Sequence, residues 1–302
     1  MKNVHKLSVV IVTYNSSRFI VPCINSILKS SYPKDKVEII VVDNASEDNT
    51  VSVINQAYPQ IRCIKNEKNI GFAMANNIGI KKTSGKYVLL LNPDTRVEEK
   101  TLLSMVSFME SHAEGAVATC KVLLTNGELD DASHRGFPTP LNALFYFTGL
   151  GTIFPNSSFF NGYHLGYKSL NETHEIDSCV GAFMMIRRSV GDSIGWLDED
   201  YFWYGEDIDF CYRVKMKGWK VYFVPYYSVV HFKGASSGIK KHSATITTAS
   251  KDTKRRAVQA RFEVMETFYR KHYLGKYPYW LMRFVFWGIA VKRWWAFNFM
   301  HN

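Results

Sequence analysis

Two short acidic segments carry residue types that could do chemistry together. Tyr204-Gly205-Glu206-Asp207-Ile208-Asp209 sets three carboxylates within four residues, and Asn92-Pro93-Asp94 sets another in a turn after an apolar run far upstream. A carboxylate can take a proton from an attacking group, and one beside a polar amide can hold a divalent cation against a charged leaving group. Together they predict metal-assisted group transfer with a carboxylate base. Trp203 and Tyr204 before the carboxylates and Phe210 after them predict a largely buried segment. Unpaired charge is costly there, so surface solvation explains the cluster less well than function does.

Elements must position these segments. Leu7 to Thr13, Val37 to Val42, Ile61 to Lys65 and Lys86 to Leu91 read as strands, and Phe19 to Ser30, Thr50 to Tyr58 and Gly71 to Lys82 read as helices. This βαβα order predicts an α/β fold with a mainly parallel central sheet flanked by helices. Ligands of such sheets bind at the carboxyl ends of strands. The turns Thr13-Tyr14-Asn15, Asp43-Asn44-Ala45-Ser46 and Asn92-Pro93-Asp94 lie at such ends and are expected to converge on one cleft. Gly127 to Thr173, rich in Gly, Pro, Asn and aromatics, is assigned no element and is a candidate acceptor-facing insertion. Farther on, Cys179 to Ile186 reads as a strand or a strand-helix step, and Phe210, Val214 and Trp219 suit a helix after the acidic segment. Lys220 to Pro225 reads as a strand, with Val229-Val230-His231 beyond it. The polar Lys233 to Arg256 reads as a mobile lid, and Ala257 to Lys271 has helical spacing.

Composition sets the outer bounds. At 302 residues, 46% hydrophobic and 21% charged, the chain can bury a substantial core and belongs among globular proteins. Its five cysteines are odd in number and form no CxxC pair, so they read as reduced, mostly buried thiols. The N-terminal apolar run lacks the length and cleavage site of a signal peptide, and a cytoplasmic protein is expected. Lys233 to Asn302 holds 14 Lys and Arg against 3 Asp and Glu, leaving 23 against 24 for the rest. All the net basicity therefore sits in the tail, which predicts an anionic partner there. No nucleic-acid recognition motif is present, so no nucleic acid is expected. Tyr277 to Met300 interleaves Trp, Phe and Tyr with Arg283, Lys292 and Arg293, and its longest uncharged stretch, Phe284 to Val291, falls far short of the roughly 20 residues of a spanning helix. It is expected to lie peripherally on the anionic inner face of the cell membrane. Packing onto the catalytic domain or a second subunit is the alternative, and a homo-oligomer stays open. Thr13-Tyr14-Asn15-Ser16-Ser17 holds no Gly-rich phosphate turn, which excludes a dinucleotide dehydrogenase.

Taken in order, Val10-Ile11-Val12-Thr13-Tyr14-Asn15, Val41-Val42-Asp43-Asn44-Ala45-Ser46, Asn69-Ile70-Gly71-Phe72-Ala73 with Asn76-Asn77, Leu91-Asn92-Pro93-Asp94, Gly181-Ala182-Phe183, Tyr204 to Phe210, and His231 with Gly234 resemble glycosyltransferase family 2. The likeness is to its rhamnosyltransferase-like branch, and it runs from about Leu7 to Ser237. It implies a GT-A-like nucleotide-diphospho-sugar transferase fold over residues 1–235. Residues 236–302 then form a mobile basic segment and a C-terminal helical appendage. The resemblance implies inverting transfer of a sugar from a dTDP- or UDP-linked donor to a lipid-linked or growing surface-polysaccharide acceptor, with rhamnose suggested only by the branch. A non-catalytic sugar-nucleotide-binding or scaffold protein of the same fold is the rival; it would be expected to lose the base. The Gln-x-x-Arg-Trp signature of processive synthases is absent, since Ala290-Val291-Lys292-Arg293-Trp294 begins with Ala, and single addition is favoured.

Residue by residue, the resemblance makes Asp207 the general base and Glu206 its support or an orienter of the acceptor. Asp209 is expected to cap the helix that begins there. Asp94 becomes the ligand of Mg²⁺ or Mn²⁺, and His231, otherwise readable as a hydrogen-bonded core residue, contributes to the metal or the diphosphate. The family commonly has Asp-x-Asp where this chain has Asn92, leaving one charged ligand and a metal held largely by the diphosphate. Asp43 is expected to accept from a pyrimidine N–H, with Asn44 in the same nucleotide-binding turn and Thr13 and Asn15 near the base or ribose. Asn69, Gly71 and Asn76 are expected to shape the ribose and diphosphate pocket, Gly71 by allowing close backbone approach. Arg135 reads either as a sugar or phosphate contact or as an exposed structural arginine.

Overall fold

The computed structural model describes residues 5–232 and 251–299. Strands β1 (Leu7–Thr13), β2 (Val37–Asp43), β3 (Arg62–Lys65) and β4 (Tyr87–Leu91) alternate with helices α1 (Ser17–Leu28), α2 (Thr50–Ala57) and α3 (Phe72–Ile80). These strands are parallel neighbours in the order β3-β2-β1-β4. The sheet continues through β8 (Phe183–Arg187), antiparallel to β4, then β6 (Gly115–Leu124), β9 (Lys220–His231) and β5 (Thr95–Val97), with β7 (His174–Ile176) also on β9. The sheet is mixed but mostly parallel, as the alternating elements predict.

Side-chain alternation divides the core into two layers. Leu7, Val9 and Ile11 of β1 face α1, α2 and α4 (Thr101–Ser111), where Ile20, Ile24, Ile54 and Met105 are buried. Val10 faces the opposite way, into a cluster shared by α3, α7 (Arg188–Ile194) and α8 (Glu206–Met216). A strand buried on both faces needs apolar residues toward both layers, which is why Val9 to Val12 of β1 is a continuous β-branched run.

Three stretches depart from the sequence expectations. The sequence signals assign neither α4 nor β6. Gly115-Ala116-Val117-Ala118-Thr119-Cys120 is small and weakly β-prone, and its pairing with β8 and β9 settles its state. β9 runs unbroken through Pro225, because the register against β6 jumps from Cys120↔Val224 to Lys121↔Ser228 and leaves the proline off the ladder. In the insertion, α5 (Pro140–Thr148) and α6 (Leu150–Ile153) form where no element is expected. The signals are local: Thr139 accepts from the Asn142 N–H, Pro140 opens the first turn, and Gly149 closes α5 at φ +79°.

The C-terminal helices α9 (Lys251–His272) and α10 (Tyr279–Phe299) pack on the α8 side of the sheet, burying Phe268, Tyr269, Tyr273 and Met282 in the same cluster as Phe210 and Val214. Most of the segment read as a lid, residues 233–250, lies outside the described residues. All five cysteines are free, and Cys63 alone among them is not fully buried.

Candidate active site

The turns at the carboxyl ends of β1 and β2 are bound to each other. Asp43 accepts from Thr13 Oγ1 (3.0 Å), Ser46 Oγ (2.5 Å) and the Ser46 N–H (3.0 Å), and both Thr13 and Asp43 are fully buried. Asn15 Oδ1 accepts from the Glu47 N–H at 2.8 Å. Thr13 and Asp43 thus bond to each other, while Asn15 ties its turn to the Glu47 and Asp48 N–H groups and to Ser46 Oγ. Asn44 saturates its amide: Nδ2 donates to Asn69 Oδ1 (2.9 Å) and the Gly71 carbonyl (3.2 Å), while Oδ1 accepts from the Ile70 N–H (3.0 Å) and Asn66 Nδ2 (3.1 Å). It pins residues 66–71 over β2.

Gly71 does allow a close backbone approach, but the partner differs from the expectation. A Cβ there would lie 2.7 Å from the Phe202 carbonyl oxygen, at φ +87°, and the Phe72 N–H donates to that same oxygen at 2.9 Å. The glycine therefore couples the 66–71 loop to the loop that precedes Glu206. Asn76 turns inward and donates to the Phe72 carbonyl (2.9 Å), whereas Asn77 holds Leu197 and Glu199 of the same approaching loop. Both asparagines bind backbone or neighbouring protein groups.

On the other side of β4, the Asn92 N–H donates to the Ala182 carbonyl at 3.3 Å, fastening the Asn92–Asp94 turn to Gly181-Ala182. His231, at the end of β9, stands between Asp94 and Asp130: Nε2 lies 3.2 Å from Asp94 Oδ1, and Nδ1 lies 3.2 Å from Asp130 Oδ2. Asn92 Nδ2 is 3.3 Å from the same Nε2. Burial alone would lower the imidazole, but Asp94 and Asp130 more than reverse that and lift it to about 9. A cationic His231 therefore neutralises Asp94. Asp130 is fully buried and invisible to motif reading, although Asp130-Asp131 before Ala132 is a recognisable capping signal; the Asp130 side chain accepts from the Ala132 N–H.

The third part is the start of α8. Tyr204 and Gly205 both take positive φ, +73° and +86°, as do Asn15 (+50°) and Ala45 (+64°) at the other turns. Strain of this kind gathers at functional sites. Asp207 Oδ2 meets Arg135 Nη2 at 2.7 Å, with both side chains nearly buried at 9% and 12% exposure. Arg135 is therefore neither an exposed structural residue nor a free phosphate contact; it is the partner of the candidate base. Beside it, burial and then the charge of Asp207 raise the Glu206 carboxyl from its ordinary 4.5 to about 8. Arg135 Nε and Glu206 Oε2 are buried without hydrogen-bond partners. Asp209 does not cap α8, whose N-cap is Gly205. It is fully buried and accepts from Arg213 Nε (2.7 Å) and pairs with His272 of α9 (2.6 Å).

The residues present fit a divalent cation only in part. Among the described residues no group of three or more His, Cys, Asp or Glu has metal-holding geometry. One carboxylate, Asp94, with the Asn92 amide beside it matches the way hard cations bind through one or two carboxylates plus substrate phosphates. The metal would arrive with a diphosphate.

Sheet order and the gathering of these turns define a GT-A-like fold. The chain belongs to glycosyltransferase family 2: the match to Glycosyl transferase family 2 spans residues 8–190. It is 29% identical over 169 residues to rhamnosyltransferase WbbL of Escherichia coli (strain K12), a stretch that covers 54% of this chain and 61% of that protein's length. Over 243 residues it is 24% identical to the N-acetylglucosaminyl-diphospho-decaprenol L-rhamnosyltransferase of Mycobacterium tuberculosis, covering 77% of this chain and 78% of that one. The mannosyltransferase PcManGT from Pyrobaculum calidifontis, solved in complex with GDP-Man and Mn²⁺, is similar in fold, with a TM-score of 0.57 and 15% identity over 100% of this chain and 89% of that chain.

Proposed function

We propose that this protein is an inverting glycosyltransferase that moves a sugar from a nucleotide-diphospho-sugar to a hydroxyl of a lipid-linked or growing surface glycan. The observation that carries the proposal is the buried Arg135–Asp207 pair flanked by two unpartnered polar atoms, Arg135 Nε and Glu206 Oε2. Buried groups left unpaired are costly, and a hydroxyl-bearing ligand placed between them would satisfy both. Asp207 takes the proton of the acceptor hydroxyl while its oxygen attacks the anomeric carbon, and the bond from that carbon to the diphosphate breaks on the opposite face. Glu206, carrying its own proton near neutral pH, donates to the acceptor and adds no second negative charge beside the base. His231 sets a positive charge near Asp94, where the leaving diphosphate gains charge. A bound Mg²⁺ or Mn²⁺ held by Asp94 and Asn92 would add electrostatic stabilisation of that leaving group.

The donor is a dTDP- or UDP-linked sugar, and rhamnose is favoured because two relatives are rhamnosyltransferases by name. The name of the mycobacterial relative specifies a diphospho-decaprenol acceptor, which supports a lipid-linked acceptor, and a lipid-linked acceptor places the work at a membrane surface, here read as the cytoplasmic face. The test is to incubate the protein with dTDP-rhamnose or UDP-hexoses, Mg²⁺ and a polyprenyl-diphospho-sugar, and to follow nucleoside diphosphate by chromatography and the new linkage by NMR. Acceptor-dependent release with an inverted anomeric centre is expected. Retained configuration would refute a single displacement by Asp207, and donor binding without release would favour a sugar-nucleotide-binding protein.

A further inference from the structure

Two exposed apolar surfaces from distant parts of the chain meet on one side of the molecule. α10 buries Met282, Ile289 and Ala296 against the domain and turns Trp280, Phe284, Trp287 and Trp294 outward, each at least 60% exposed. A helix that is apolar all round is normally covered on all sides; this one is covered on its inner side. In the insertion, α5 and α6 expose Leu144 and Ile153 by more than half. The two surfaces are continuous, because α5 packs on α10 and Lys292 Nζ lies 3.6 Å from the centroid of the Phe147 ring.

Charge selects what can cover this face. α10 carries Arg283, Lys292 and Arg293 and no acidic residue, and of these Arg293 is also paired with Glu266 of α9 at 3.2 Å. Arg255 of α9 joins Arg293 and Trp294 in lining a cleft of about 460 Å³ at the edge of the exposed stripe. A second copy docked through the same face would set these cations against themselves, whereas anionic lipid phosphates complement them. Aromatic rings interleaved with Arg and Lys suit the depth of the headgroups, where long basic side chains keep their charge in water. No helix among the described residues is long and apolar enough to cross a bilayer.

We infer that α10 and the α5–α6 insertion form a single seating surface for an anionic phospholipid bilayer, with Arg283, Lys292 and the Arg255–Arg293 cleft taking lipid phosphates. This rests on the membrane-face reading above and adds the insertion as a second anchor. Within the insertion, α5 begins at Pro140, five positions after Arg135, the residue that holds Asp207. Seating it therefore fixes the height of the base above the bilayer, close to where a lipid-linked acceptor presents its first sugars.

The test uses the full chain and phosphatidylcholine vesicles with or without phosphatidylglycerol, read by co-sedimentation and by tryptophan quenching with acyl-brominated lipids. Wild type is expected to bind the anionic vesicles. Trp287→Ser on α10 and Ile153→Ser in the insertion are each expected to weaken binding about tenfold, as the loss of one buried apolar side chain predicts. Arg283→Glu should weaken binding to anionic vesicles alone. An Ile153→Ser protein that binds like wild type overturns the two-part surface, equal wild-type binding to both vesicle types overturns its charge basis, and a wild-type dimer that Trp287→Ser dissociates overturns it in favour of a second copy. Binding as expected by a protein that transfers no sugar supports this surface and tells against the transferase reading.

Discussion

Glu206 and Asp207 are adjacent in sequence and opposite in electrostatic setting. Asp207 faces a buried guanidinium, while Glu206 is buried beside a negative charge with one oxygen unpartnered. The folded state raises Glu206 to about 8, so it keeps a proton that the unfolded chain releases above 4.5. Its contribution to stability is fully present below about pH 4.5 and is lost as pH rises toward 8. Glu206→Gln, which cannot ionise, should therefore melt several degrees higher than wild type near pH 8 and nearly level with it near pH 4.5; an offset independent of pH would contradict the raised carboxyl. Removing Arg135 leaves Asp207 buried and unpaired. Arg135→Ala should cost about 3 kcal/mol in denaturant melts and should lower kcat, with Arg135→Lys intermediate; unchanged stability and turnover would dissociate Arg135 from the candidate base. Asp94, Asp207 and His231 were legible because each sits in a short motif. Asp130 and the role of Arg135 were not, since their partners lie 101 and 72 positions away and only the topology brings them together.

At the scale of elements, α8 carries the proposed base and α9 holds α8. Asp209 is the joint, and its carboxylate is kept below the usual range: burial opposes this, but the His272 bond and the Arg213 charge prevail. The clamp is therefore present above about pH 3.8 and is lost as the pH falls through the lowered value. Asp209→Ala should cost about 3 kcal/mol and expose α9 to limited proteolysis before the rest of the domain unfolds; global unfolding with no earlier cleavage would show that α9 does not depend on this contact. The strands β1, β2 and β4 were legible because short apolar runs end at polar turns. β6 was not, because small residues acquire their strand state from neighbours on both sides. α5 carried its Thr139 cap, Pro140 and Gly149 in plain view, but the aromatic and Gly-rich surroundings concealed them.

For the whole molecule, the parallel half of the sheet presents the turn cluster proposed for the nucleotide, and the β8 and β9 half brings Gly181-Ala182, His231 and the start of α8 against it. The coupling is physical: Asn44 pins residues 66–71, Gly71 admits the Phe202 carbonyl, and the loop carrying Phe202 leads into Glu206. The residues proposed for donor and acceptor therefore share one framework, which suits the proposed reaction, whose two substrates must meet in line. The basicity of the tail was legible from its composition, whereas its packing against the α8 cluster depends on tertiary contacts that periodicity cannot reveal. The most direct measurement compares wild type with Asp207→Asn for acceptor-dependent release of nucleoside diphosphate, with donor affinity measured in parallel. A loss of turnover of at least about a hundredfold, with donor affinity nearly unchanged, is the expected result; turnover by Asp207→Asn at the wild-type rate would contradict the assignment of the base.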